Sequence, residues 1–107
     1  MTDRGARERM EFDVVIVGAG PASLAAAIRL GQLSAQHDYP VSVAVLEKAA
    51  EVGGHSLSGA TLEPAALDEL LPDWQGRGAP VTTPVADERL TFLTPSNALK
   101  HHEKSNE

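Results

Sequence analysis

The chain has 107 residues, 42% of them apolar, and nine Lys+Arg against fifteen Asp+Glu give a net charge of −6. That is about one small domain burying roughly two-thirds of its unfolded surface, and its acidic balance disfavours nucleic-acid partners and polybasic membrane binding, which both need clustered positive charge. Without cysteine, the chain itself holds no disulfide, zinc-thiolate site, Cys nucleophile or cysteine-ligated iron–sulfur cluster.

Residues 1–11 mix Arg4, Arg7 and Arg9 with Asp3, Glu8 and Glu11. They lack the apolar stretch of a signal peptide, so a flexible N-terminal segment without a targeting peptide is expected. No apolar run approaches the ~20 residues that span a bilayer, and the chain reads as soluble and cytosol-facing. Phe12-Asp13-Val14-Val15-Ile16-Val17 is short, β-branched and nearly all apolar. That is the pattern of a strand buried on both faces of a parallel sheet. Gly18-Ala19-Gly20-Pro21 breaks the run. From Ala22 to about Gln36, Leu24, Ala27, Ile28, Leu30 and Leu33 recur at three- and four-residue steps, predicting a helix with Pro21 suited to its first turn. Gly31 is its weak point, costing roughly 1 kcal/mol against Ala. His37 to Pro40 ends the helix, and Val41 to Leu46 is a second strand closed by Glu47 and Lys48.

Strand, glycine turn, helix and strand make one βαβ unit with an expected right-handed crossover. Residues 52–60 form a Gly/Ser loop around His55. Glu63-Pro64 opens a short helix with Leu67, Leu70 and Leu71 on one side, stopped by Pro72, and Trp74 continues that side. Arg89 to Leu93 suits a further strand. The polar residues 100–107 have no period and are expected to be disordered. The division is thus a flexible segment over 1–11, a partial dinucleotide-binding domain over 12–99 and a polar tail over 100–107.

The chemistry centres on Gly18-x-Gly20-x-x-Ser23. A turn of this kind brings the backbone to a pyrophosphate while a helix N-terminus supplies free N–H donors and partial positive charge. The first glycine makes the tight turn, and the second removes a Cβ that would collide with phosphate. The third position normally takes Gly or Ala for close helix–strand packing, and Ser23 is a small replacement there. The loop follows an apolar strand and opens a helix, the context such a motif requires. Glu47, at the end of the second strand, stands where an acid binds the adenosine ribose hydroxyls. It favours a free 2′-hydroxyl over a 2′-phosphate and leaves NAD and FAD open. The competing reading is a generic glycine turn with Glu47 as a surface acid.

His55 reads either as a solvated loop histidine or as part of a loop, Gly53 to Gly59, that wraps the second half of a cofactor with backbone N–H and Ser58 hydroxyl contacts. Ser56 and Ser58 lack Asp/His partners at catalytic spacing, so no hydrolase triad is assigned. No residue is assigned to direct catalysis or to a metal. His101-His102 reads as solvated rather than metal-binding, and Glu63, Asp68 and Glu69 as an acidic cluster at a helix N-terminus.

Met10 to Ala22, Leu46-Glu47-Lys48, Glu51-Val52-Gly53, His55, Leu57 to Ala60, Leu62-Glu63-Pro64 and Ala66 to Trp74 together resemble the amino-terminal part of the electron transfer flavoprotein–ubiquinone oxidoreductase family. Arg77 to Pro80 and Phe92-Leu93-Thr94 continue the likeness. The resemblance implies a Rossmann-like α/β fold, incomplete here, with FAD held by Gly18, Ala19, Gly20, Pro21, Ala22, Ser23, Glu47, Lys48, Gly54, His55, Ser58 and Gly59. It further implies a full-length enzyme, peripheral on a respiratory membrane, inner or cytoplasmic; with no targeting peptide in this chain, the bacterial cytoplasmic face is expected. That enzyme carries a [4Fe–4S] cluster and passes electrons from reduced electron transfer flavoprotein to ubiquinone. Ser23 departs from the family's glycine and Gly54 from an expected alanine. The likeness stops after Leu99, so the sequence reads as a truncated product inactive alone. The alternatives are another FAD- or NAD-dependent dehydrogenase or monooxygenase, and a non-functional fragment.

Overall fold

The computed structural model describes residues 7–103 and divides into two compact units, up to Gly59 and from Ala60. The first contains strand β1 (Val14–Val17), helix α1 (Pro21–Gln36) and strand β2 (Val43–Leu46). β1 and β2 pair in parallel, Val14 opposite Val43 through Val17 opposite Leu46. This is the expected βαβ order, with each strand starting two residues later than the apolar pattern suggests.

The delay has a local cause. Asp13 and Ser42 clasp each other just before the paired segments. The Ser42 N–H and hydroxyl donate to Asp13 Oδ2 at 2.8 and 3.1 Å, and the Asp13 N–H donates to Ser42 Oγ at 2.9 Å. The Val14 N–H then donates to the Ser42 carbonyl at 3.1 Å. The clasp fixes the sheet register, since a one-residue slip would separate the two side chains. The Ser42 N–H, followed by its hydroxyl, holds the Asp13 carboxyl below the usual carboxylate range. A carboxyl lowered in the folded state contributes stability that is present above its unfolded pKa and lost as pH falls through the folded value. Asp13→Asn is therefore expected to flatten the acid side of the stability–pH curve, below about pH 4. Thermal unfolding of both proteins across that range checks it, and identical acid slopes would exclude a role for the clasp.

Helix α1 begins at Pro21, with its missing N–H at the position that has no intrahelical partner. It ends in a Schellman arrangement, with the Tyr39 N–H donating to the Ser34 carbonyl at 3.0 Å and the Asp38 N–H to the Ala35 carbonyl at 3.4 Å. Asp38 holds the left-handed position (φ 50°) that glycine usually fills. A short polar side chain tolerates that conformation better than a branched one. The Ser34 hydroxyl also donates to the Tyr39 carbonyl at 2.6 Å.

The covered stripe of α1 is Ser23, Ala27, Leu30 and Ser34, all half-buried, while Leu24 and Ile28 are exposed. The expectation of a β1 strand buried on both faces does not hold. Val14 and Ile16 are half-buried, but Val15 is 52% exposed and Val17 81%. A single helix covers one face of a two-stranded sheet, and among the described residues of this unit nothing lies over the other.

The second unit contains helix α2 (Ala65–Leu70) and the antiparallel strands β3 (Glu88–Leu93) and β4 (Ala98–Glu103). Trp74 is its buried hydrophobic residue, 7% exposed, and the indole N–H donates to Asp68 Oδ1 at 2.7 Å. Asp68 lies in the first turn of α2, but its carboxylate serves Trp74 rather than an acidic cluster. Residues 100–103 are not a disordered tail. Their backbone pairs with β3, Lys100 opposite Thr91 and Glu103 opposite Glu88. Pairing satisfies the backbone whatever the polarity of the side chains. Residues 104–107, expected as the end of that tail, and residues 1–6 of the N-terminal segment lie outside the described residues.

Candidate functional site

The first unit places its glycine loop between the end of β1 and the start of α1. Gly18 has φ +92°, a conformation that L side chains rarely adopt, and its N–H donates to the Leu46 carbonyl at 2.6 Å. The positive φ turns the chain sharply out of β1 while keeping it tied to β2. A Cβ built on Gly20 would meet no protein atom within 4 Å. The protein's own packing therefore does not demand glycine there, whereas a ligand approaching the backbone would.

Gly20 caps α1 with no side-chain hydrogen bond, Pro21 has no N–H, and the first intrahelical bond runs from the Leu24 N–H to the Gly20 carbonyl at 2.9 Å. Among the described residues the N–H groups of Gly20, Ala22 and Ser23 have no partner. Three such donors at a helix start form a site suited to an anion.

Glu47 follows β2 directly and is half-buried. Its Oε2 accepts the Ala19 N–H at 2.9 Å and its Oε1 the Ala49 N–H at 3.1 Å. These two amides, Ala49 first, lower the Glu47 pKa; desolvation opposes them, and the charge of His55 adds to the lowering. His55 lies in a turn where the Gly54 N–H donates to the Glu51 carbonyl and the Ser56 N–H to the Gly53 carbonyl, both at 3.0 Å.

Gly54, where the family resemblance suggested alanine, has a reason in this turn. A Cβ there would press on the Glu51 carbonyl oxygen at 3.1 Å and on Ala49 Cβ at 3.2 Å. Lys48, Ser58 and Gly59 are exposed, and no hydrogen bond joins Ser58 or Gly59 to the glycine loop among the described residues. The structure therefore joins the glycine loop to Leu46 and Glu47 by hydrogen bonds and, among the described residues, gives no such bond to His55, Ser58 or Gly59. Ala49 is the participant that sequence reasoning missed. Its contribution is a backbone N–H, which no residue type in the sequence marks.

Ser23 heads the covered stripe of α1, and its hydroxyl has no partner among the described residues. Close packing accounts for the small side chain, so Ser23→Gly is expected to leave dinucleotide affinity unchanged or slightly improved. A ligand titration of both proteins checks this. A loss of about tenfold, near 1.4 kcal/mol, would show instead that the hydroxyl donates to the phosphate.

Among the described residues no cluster of His, Asp or Glu is arranged to hold a metal ion, and no helix is long and apolar enough to cross a membrane. The second unit has an open cleft beside Leu62, Trp74, Pro80 and Val81 with no charged side chain and no residue of the glycine loop.

Comparison with known proteins agrees with this geometry. The chain is 60% identical over 84 residues to the mitochondrial electron transfer flavoprotein-ubiquinone oxidoreductase of Bos taurus, covering 78% of this chain and 14% of that protein. It is 57% identical over 88 residues to the probable electron transfer flavoprotein-ubiquinone oxidoreductase of Acinetobacter baylyi, covering 81% and 15%. With the mitochondrial enzyme of Arabidopsis thaliana the identity is 52% over 99 residues, covering 92% and 16%. The chain thus spans about one-seventh of the length of these relatives. Residues 16–74, from within β1 through Trp74, match the model of the NAD(P)-binding Rossmann-like domain. A glycine loop on a parallel βαβ unit and a match over more than half its length agree: this chain belongs to the family of NAD(P)-binding Rossmann-like domains.

Proposed function

We propose that this chain supplies the pyrophosphate- and adenosine-binding part of an FAD site, in an oxidoreductase passing electrons from reduced electron transfer flavoprotein to ubiquinone. The observation that carries the reading is the convergence of three partnerless amide donors, at Gly20, Ala22 and Ser23, with the Glu47 carboxylate at one end of a parallel βαβ unit. These donors suit a pyrophosphate, and Gly20 lets it approach the backbone. Glu47 accepts ribose hydroxyls, which favours an unphosphorylated ribose over a 2′-phosphate. In this reading His55, Lys48, Gly54, Ser58 and Gly59 border the rest of the cofactor. The flavoprotein names of the relatives support FAD over a nicotinamide dinucleotide.

When bound, the flavin supplies the electron-transfer chemistry, and the protein binds and orients it. The role of these residues is cofactor binding, and the chain by itself is not expected to turn over. It has no cysteine, so a [4Fe–4S] cluster in such an enzyme draws no ligand from it. Association with a respiratory membrane would be peripheral. Exchanging this chain for the matching stretch of the Acinetobacter baylyi relative tests the reading. The chimaera is expected to purify with flavin absorbance and to reduce ubiquinone with electrons from reduced electron transfer flavoprotein. A folded chimaera lacking flavin, or one that oxidises NADH instead, would overturn it.

A further inference from the structure

We propose that Glu47 is a positioning residue for the glycine loop as well as a ribose acceptor, its carboxylate bridging the two backbone arms of the site before any ligand binds. The proposal deepens the FAD reading and rests on it for the identity of the ligand, but the clasp itself is a property of the chain alone. One oxygen accepts the Ala19 N–H at 2.9 Å and the other the Ala49 N–H at 3.1 Å. Ala19 is the middle residue of the glycine turn and is 5% exposed. Ala49 opens the segment that leads to His55.

The Gly18 N–H is already tied to the Leu46 carbonyl at 2.6 Å. Two consecutive residues of the turn are therefore anchored to two consecutive residues at the end of β2. With the Gly18 and Ala19 amides committed to this anchoring, the free donors are those that follow, Gly20, Ala22 and Ser23. The bridge thereby sorts the loop's amides into those that hold the loop and those that face a ligand. It does not exhaust the carboxylate, because an ionised carboxylate has about four acceptor positions. Two are taken by amides, which leaves two for the vicinal hydroxyls of one ribose.

An acceptor of ribose alone would matter only to ligands with ribose hydroxyls. A positioning residue also matters to ligands without them. Simple electrostatics predicts the reverse for such a ligand, since removing a negative charge should favour an anion.

The test uses the full chain and two readouts. In the ligand-free protein, amide hydrogen exchange at Ala19 and Ala49 is expected to accelerate about tenfold or more in Glu47→Ala, with Val15, Ile16 and Val45 unchanged. Glu47→Gln has a single acceptor oxygen and should keep only one of the two amides protected, a partial rescue that general loss of stability would not give. Unchanged exchange at both amides in Glu47→Ala would overturn the proposal. The second readout compares ADP with 2′,3′-dideoxy-ADP. Weakening of the dideoxy ligand in Glu47→Ala, with ADP weakened further by the loss of its ribose contacts, supports the positioning role beside the ribose role. Weakening of ADP alone, or tighter binding of the dideoxy ligand, overturns it. If the unaltered chain binds neither nucleotide, the dinucleotide reading fails, and the exchange readout alone decides whether Glu47 holds the loop.

Discussion

Replacing Glu47 with alanine is expected to lower FAD affinity by about tenfold to a hundredfold. Hydrogen bonds to a charged group contribute roughly 1.5–3 kcal/mol each, and about 1.4 kcal/mol is tenfold in a dissociation constant. The substitution removes the proposed acceptor for ribose and frees the Ala19 and Ala49 amides, which the carboxylate now holds at 2.9 and 3.1 Å. Relief of repulsion between the carboxylate and the pyrophosphate acts in the opposite direction. In a site open to water that repulsion is screened, so the loss wins. The Glu47 pKa is lowered by the two amides and by the charge of His55, so the ionised acceptor persists down to the acid end of the carboxylate range. Isothermal titration of FAD into the chain and its variant reads the effect. Equal affinities would remove Glu47 from the site.

Trp74→Ala is expected to unfold the second unit locally. Truncating a buried aromatic residue costs about 3–5 kcal/mol, and Trp74 is the buried hydrophobic residue of that unit. Its indole N–H also leaves Asp68 Oδ1 without its 2.7 Å partner. Helix α2 is only six residues long, too short to stand without tertiary packing. Amide signals of residues 65–71 should therefore collapse toward random-coil positions while those of β1 and β2 persist. Trp74→Phe separates the two contributions, because it keeps most of the packing and removes only the hydrogen bond, a loss of roughly 1.5–3 kcal/mol. Retained dispersion at residues 65–71 in the alanine variant would show that the helix is held by something other than Trp74.

The glycine loop was legible in the sequence because its chemistry is local. A β-branched run, two glycines at fixed spacing and a proline at the helix start each dictate backbone conformation within a few residues. The position of Glu47 followed from the same unit, since β2 must end beside the loop for the crossover to close. Its two amide contacts did not, because the donors are backbone groups and sequence does not mark them. The exposure of Val15 and Val17 was equally hidden. An apolar run states that both strand faces can be buried, whereas burial depends on what packs there, and α1 covers one face.

The β4 strand was missed because its side chains from Lys100 onward are polar and give no period. The turn before it held the signal: Pro95, Ser96 and Asn97 are turn formers. There the Thr94 N–H donates to the Asn97 carbonyl at 2.8 Å, and the Thr94 hydroxyl reaches the same oxygen at 3.0 Å. The Asp13–Ser42 clasp joins residues 29 positions apart, a pairing that only the sheet register reveals.

The proposed binding mode puts the pyrophosphate and adenosine of FAD on the glycine loop and Glu47. Its most direct test is a titration of FAD, with riboflavin as the comparison, into the isotope-labelled chain while backbone amides are followed by NMR. Saturable shifts are expected at Gly18, Ala19, Gly20, Ala22, Ser23 and Glu47 with FAD, and none with riboflavin, which has neither pyrophosphate nor adenosine. No shift at these amides with FAD in excess, or the same shifts with riboflavin, would contradict that binding mode.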